Sequence, residues 1–148
     1  MPYSDEQKIL AIDLGSNAMR ASIACYDGSK DLEIIQSMRY ALRLGEDVFS
    51  KGKLSKASFK KATGAFMELK NIIKNQGITL VKAVATSALG DSENGAEFVD
   101  YIYEKTGIKI EVIDGDQEAK LIKNVISSVI DLNNKTSLLI DIGGGSTE

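Results

Sequence analysis

Between residues 8 and 40 the chain offers three short runs with strand-like patterning, and the gaps between them are too short to hold a helix. Residues 8–14, KILAIDL, are an apolar run that ends in Asp-Leu-Gly, which predicts a buried strand. Over residues 19–26, Met19, Ala21, Ile23 and Cys25 face one way, while Arg20, Ser22, Ala24 and Tyr26 face the other. The Asp27-Gly28 pair that follows is a strong hairpin signal. Residues 31–40 place Leu32, Ile34, Gln36, Met38 and Tyr40 on one face, a third strand.

The pattern then changes period. Residues 42–53, with two glycines and no sustained repeat, read as a loop. Ser55 reads as an N-cap, with Leu54 and Phe59 spaced for a hydrophobic staple, and the helix it opens runs to about Gln76 and stops at Gly77. Residues 79–86 predict a strand. Asn94 and Glu97 have capping-box spacing before a helix that presents Phe98, Tyr101 and Ile102 and ends before Gly107. Residues 109–113 predict another strand. Asp114 and Gln117 form the next capping pair, opening a helix with Ile122, Val125, Ile126 and Val129 on one stripe, and residues 136–142 predict a last strand. The order β-β-β-α-β-α-β-α, followed by that strand, predicts an α/β domain: a mixed sheet with helices on its faces. It resembles the ribonuclease-H-like domain shared by actin, sugar kinases and heat-shock chaperone ATPases.

Composition narrows the chemistry. The chain has no histidine, so a Ser-His-Asp triad, a histidine-ligated zinc and an imidazole base are excluded within it. The lone Cys25 cannot build a thiolate zinc site or a disulfide framework, reads as a small core residue, and fits a cytoplasmic location. With a net charge of −3, nucleic acid is not the expected partner, and no run of roughly 18 apolar residues points to a membrane. The start, MPYSDEQK, has no apolar core and does not read as a signal peptide. Catalysis must therefore use carboxylates, hydroxyls, backbone N–H groups, Lys, Arg or an oxygen-held metal. One stretch runs against the net charge: Arg39, Arg43, Lys51, Lys53, Lys56, Lys60 and Lys61 face only Glu46 and Asp47. It reads either as a steering patch for a polyanion or as a solvated helix face.

One short motif occurs twice. Ile12-Asp13-Leu14-Gly15-Ser16-Asn17 and Ile140-Asp141-Ile142-Gly143-Gly144-Gly145 each follow an apolar run, and most of the chain lies between them. A strand ending in Asp-(Leu/Ile)-Gly and small residues presents backbone N–H groups to an anion, with Ser16 or Ser146 adding a hydroxyl. Asp13 and Asp141 stand where a carboxylate holds Mg²⁺ beside phosphates. The second copy also predicts a division of the chain: residues 1–135 as one actin-like domain, and 136–148 as the first strand and loop of a second, truncated one.

Four stretches carry a resemblance to the exopolyphosphatase / guanosine pentaphosphate phosphohydrolase family: IDLGSNAMR at 12–20, VATSALGDSENG at 84–95, IEVIDGDQEAKLI at 110–122 and LLIDIGGGSTE at 138–148. The resemblance implies an actin-like, two-domain, Mg²⁺-dependent hydrolase that releases terminal phosphate from inorganic polyphosphate or from guanosine pentaphosphate (pppGpp). It also implies homodimers for complete chains, and inactivity for a first domain alone, whose cleft lacks one wall. By the same resemblance Glu118 is the catalytic carboxylate that activates water. Asp141 and Glu148, assisted by Asp13, are associated with the metal. Gly15, Ser16, Asn17, Gly143, Gly144, Gly145 and Ser146 form the phosphate loops, with Ser87 a further phosphate contact. In each case a plainer reading exists: Glu118 gains about 0.3–1 kcal/mol from a helix N-terminus wherever it sits in the first turn, and Ser87 is suited to capping a turn.

The chain departs from the family pattern at three positions. Gly90 stands where arginine is common, Asp114 where serine is usual, and Ala18 replaces a frequent hydroxyl; Arg20, Arg39 and Arg43 are the candidates to supply the missing cation. Two rival readings remain beside the hydrolase: a non-catalytic module that binds polyphosphate or pppGpp, and an actin-like ATPase or sugar kinase.

Overall fold

The computed structural model of the chain describes residues 7–26, 28, 32–130 and 136–147. Strands β1 (Gln7–Leu14), β2 (Met19–Tyr26) and β3 (Glu33–Tyr40) form the expected antiparallel meander. The chain continues through α1 (Leu44–Lys51), α2 (Lys56–Gln76), β4 (Leu80–Ala85), the single turn α3 (Ser87–Gly90), α4 (Gly95–Thr106), β5 (Ile110–Val112) and α5 (Gly115–Val129). The sheet order is β3-β2-β1-β4-β5, with β4 parallel to β1 and β5 parallel to β4. Both parallel links need a crossover, and α2 and α4 supply them. Because β1 and β4 are parallel, the loops that follow them emerge at the same end of the sheet.

Side-chain alternation sets the core. Leu10, Ile12 and Leu14 of β1, Met19, Ala21 and Ile23 of β2 and Ala83 and Ala85 of β4 are buried on one face, against Phe66 and Leu69 of α2 and Phe98 and Ile102 of α4. Phe98 meets Phe59 edge to face, ring centroids 5.1 Å apart. Met38 and Tyr40 of β3 join this layer, but the register shifts between Ile23 and Ala24, so Ile34 pairs with Ala24 instead of continuing the face of Gln36 and Met38, and it is 64% exposed. Cys25 is only half-buried. Ser55 caps α2 as expected, accepting from the Ser58 N–H, and Asp114 with Gln117 forms a complete capping box on α5.

Three expectations are corrected. Residues 42–53 are not all loop, because α1 occupies Leu44–Lys51. Gly45, which reads as a breaker, is instead needed for close approach: a Cβ there would lie 3.0 Å from the Ser16 Cβ and 2.8 Å from the Phe49 ring. Asn94 does not cap α4 with its side chain. Its amide is spent on the preceding connection, where Oδ1 accepts from the Leu54 N–H at 2.8 Å and Nδ2 donates to the Leu54 carbonyl at 3.0 Å. Residues 136–142 form no strand; the described part makes one isolated bridge, Ile142 with Thr147, and pairs with none of the five strands. Leu138, Ile140 and Ile142 are accordingly exposed, as are Leu121, Val125 and Val129 of α5.

The α1–α2 corner is held by Asp47. Its carboxylate accepts from the Ser55 N–H (3.0 Å), the Ser58 hydroxyl (2.6 Å) and Lys51 Nζ (3.0 Å), and these bonds hold its pKa well below the ordinary aspartate value of 3.8. The folded state therefore binds this proton less tightly than the unfolded chain. The stabilisation is complete above pH 3.8 and is lost as pH falls below it. Asp47→Asn is expected to cost about 1–2 kcal/mol at pH 7, by analogy with other charge-assisted hydrogen bonds. The gap from the parent should shrink in thermal melts at pH 3; an equal gap at both pH values would contradict this role.

Candidate active site

The turn after β1 and the connection after β4 meet at one end of the sheet. Gly15 N–H donates to the Ala18 carbonyl at 3.1 Å, closing the β1–β2 turn. The carbonyls of Ser16 and Asn17 accept from Gly45 N–H and Arg43 N–H, both at 2.8 Å, so α1 fixes the orientation of the loop backbone. Arg43 pays for this with a left-handed backbone, φ 57°. Ser16 is 5% exposed, and its hydroxyl lies 3.2 Å from that of Ser87, at the start of α3.

The second loop lies against the first. Gly143 N–H donates to the Ser146 carbonyl at 3.0 Å, making a compact turn. A Cβ on Gly144 would stand 2.6 Å from Asn17 Nδ2; one on Gly145 would stand 2.7 Å from Ser16 Oγ and would run into the Phe49 ring. Glycine at these two positions is thus what lets the loops touch. Together they enclose a cleft of about 400 Å³. Every described site residue expected from the sequence lines it: Asp13, Gly15, Ser16, Asn17, Ser87, Glu118, Asp141, Gly143, Gly144, Gly145 and Ser146. Glu148 lies outside the described residues.

Arg20 and Arg39 also line the cleft, whereas Arg43 faces away, pairing with Glu46 at 3.4 Å. Arg20 and Arg39 are direct cross-strand partners on β2 and β3. Like charges so placed repel, and Asp13, 3.7 Å from Arg20, offsets part of that; a bound anion would offset more. The Lys side of the basic stretch goes elsewhere: Lys53, Lys56 and Lys60 flank a groove between α2 and α4. Phe49, Gly45 and the buried Thr86 escaped sequence reasoning, the first two because they fall in the stretch read as loop.

Burial is the largest influence on Asp13 and raises its pKa; Arg20 lowers it, and the charge of Asp141 raises it further. Two oxygen donors facing one cleft fit a hard divalent cation such as Mg²⁺, which takes one or two carboxylates and completes its shell with water and phosphate oxygens. Among the described residues no three His, Cys, Asp or Glu side chains gather around one point.

The chain is similar to known proteins in sequence and in fold. The bifunctional 3-dehydroquinate synthase/phosphatase of Fusobacterium nucleatum is similar, with 35% identity over 93% of this chain and 22% of that protein. Exopolyphosphatase 1 of Mycobacterium bovis is 28% identical over 93% of this chain and 40% of its own length. The crystal structure of an exopolyphosphatase from Cytophaga hutchinsonii superposes with a TM-score of 0.87 at 28% identity, covering 95% of this chain and 45% of that one. The chain thus spans less than half the length of these relatives, and its fold is the actin-like fold of the Ppx/GppA structures, among them that of Aquifex aeolicus (TM-score 0.83, 30% identity, covering 97% of this chain and 46% of that one). Residues 22–148 match the family model described as Ppx/GppA phosphatase, and with the paired loops in place the chain belongs to the Ppx/GppA phosphatase family.

Proposed function

We propose that this chain is the N-terminal domain of a phosphohydrolase that releases terminal phosphate from inorganic polyphosphate or from pppGpp. The observation that carries the proposal is the convergence of both glycine loops, Arg20, Arg39 and Glu118 on one cleft. Phosphoryl transfer asks chiefly for positioning and charge neutralisation. The backbone of Gly15–Asn17 and Gly143–Gly145 would hold the terminal phosphate oxygens, and Ser16, Ser87 and Ser146 would add hydroxyl contacts. The two guanidinium groups would neutralise charge, Arg having the fork geometry that suits phosphate. Glu118 would orient a water for in-line attack and accept its proton. Asp13 and Asp141, with Glu148, would hold Mg²⁺, which supplies further neutralisation of the phosphate oxygens when bound.

Residues 136–148 we assign to the start of a second domain that forms the facing wall of the cleft; the complete protein would then act as a cytoplasmic enzyme, a homodimer by its resemblance. One observation favours the non-catalytic alternative: Gly90 brings no cation beside the cleft. The test is phosphate release from linear polyphosphate and from pppGpp by the gene's full-length product. Release that requires Mg²⁺ and stops on chelation is the expected result. Binding without release would establish the non-catalytic module, and neither binding nor release would overturn the proposal.

A further inference from the structure

The second loop pairs with none of the five strands, so its place over the first rests on a few side-chain contacts. At its glycines these are Gly144 with Asn17, and Gly145 with Ser16 and the ring of Phe49. Asn17 and Ser16 belong to the first loop. Phe49 does not: it stands on α1, whose Leu44 and Val48 are buried in the core.

Helix α1 therefore meets both loops. Its start fixes the first, through the N–H groups of Arg43 and Gly45 that donate to the carbonyls of Asn17 and Ser16. Phe49 follows one turn later, on the same helix face as Gly45. A Cβ on Gly45 would lie 2.8 Å from Phe49 Cε2, and one on Gly145 would run into Phe49 Cζ, so the ring is seated between two glycine backbones. Its other side is open to solvent, the residue being 53% exposed, and it does not line the cleft. The ring thus adds little to the core and touches no site for substrate. What it touches is the backbone of the second loop.

Resting on the phosphohydrolase reading of the cleft, we propose that Phe49 is a positioning residue for the substrate phosphate. Helix α1 sets the first loop by hydrogen bonds and the second by this ring, so that both face one phosphate before it arrives. Without the ring, the second loop must be ordered at the moment of binding, and that entropy cost falls on affinity. Glu118 and Asp13 stand on α5 and β1, so the bound phosphate should still react at the parent's rate.

The test compares Phe49→Ala and Phe49→Met with the parent, all as the gene's full-length product, on linear tripolyphosphate with Mg²⁺. Phe49→Ala is expected to raise KM about tenfold, with kcat held within about twofold and the thermal midpoint near the parent's. Methionine is long, flexible and apolar, and should recover most of the lost affinity. A readout independent of turnover is the ¹⁵N order parameters of the free protein. Those of Gly143, Gly144 and Gly145 should fall in Phe49→Ala and recover in Phe49→Met, while those of Gly15, Ser16 and Asn17 stay as in the parent. Unchanged KM and unchanged order parameters in Phe49→Ala overturn this inference and leave the proposed function standing. A lower thermal midpoint and kcat with KM unmoved also overturn it, by making the ring structural only. A parent that neither binds nor hydrolyses tripolyphosphate overturns the proposed function, and this inference with it.

Discussion

Glu118→Ala is expected to lower phosphate release by the gene's full-length product about 10²–10⁴-fold, the usual worth of a positioned general base. The side chain belongs to the first turn of α5 and lines the cleft, where the capping box of Asp114 and Gln117 fixes the helix start. Glu118 N–H bonds back to the Asp114 carbonyl at 2.9 Å, so its backbone is held by the helix and not by the side chain. Truncation removes a favourable carboxylate from a helix N-terminus, a contribution of about 0.3–1 kcal/mol, and should leave the start of α5 capped by Asp114 and Gln117. The separating readout is tripolyphosphate affinity, expected to stay within a few-fold of the parent because the loops and arginines remain. A Glu118→Gln variant keeps the shape but cannot take a proton, and should be as impaired as the alanine. Undiminished release by either variant removes Glu118 from the mechanism.

The second large effect is expected at the contact between the loops. Gly144→Ala/Gly145→Ala adds two methyl groups where Asn17, Ser16 and Phe49 already stand. The Phe49 ring is 53% exposed and can swing away, but Ser16 is buried and bonded to Ser87, so the second loop must lift instead. Tripolyphosphate affinity should fall at least tenfold. Stability should change little, because these residues are exposed and pair with none of the sheet strands. Isothermal titration and a thermal melt of the same sample check the two halves of this statement. Unchanged affinity would mean that the loops do not act together.

Much of this site is legible in the sequence, because it rests on short-range rules. A strand that ends in Asp-Leu-Gly places its aspartate and its turn at the same end of the sheet whichever strands lie beside it, and Asp114 with Gln117 fixes the start of α5 within one helical turn. What escapes is decided by distant partners. Gly45 looks like a helix breaker until Ser16 is brought against it, and Asn94 looks like a cap until the Leu54 backbone claims its amide. The alternation of residues 136–142 specifies a strand only when another strand is alongside, and none of the five is. Arg39 gains its place through register: pairing with Arg20 brings it to the cleft, while Arg43, four residues on, is turned away.

The central claim is that the two glycine loops bind one phosphate group between them. Backbone amide chemical shifts of the ¹⁵N-labelled chain, followed while linear tripolyphosphate and Mg²⁺ are added, test it most directly. The account predicts that Gly15, Ser16 and Asn17 and Gly143, Gly144 and Gly145 shift together and saturate with one affinity. Shifts confined to one loop, or two loops saturating at different concentrations, would contradict it.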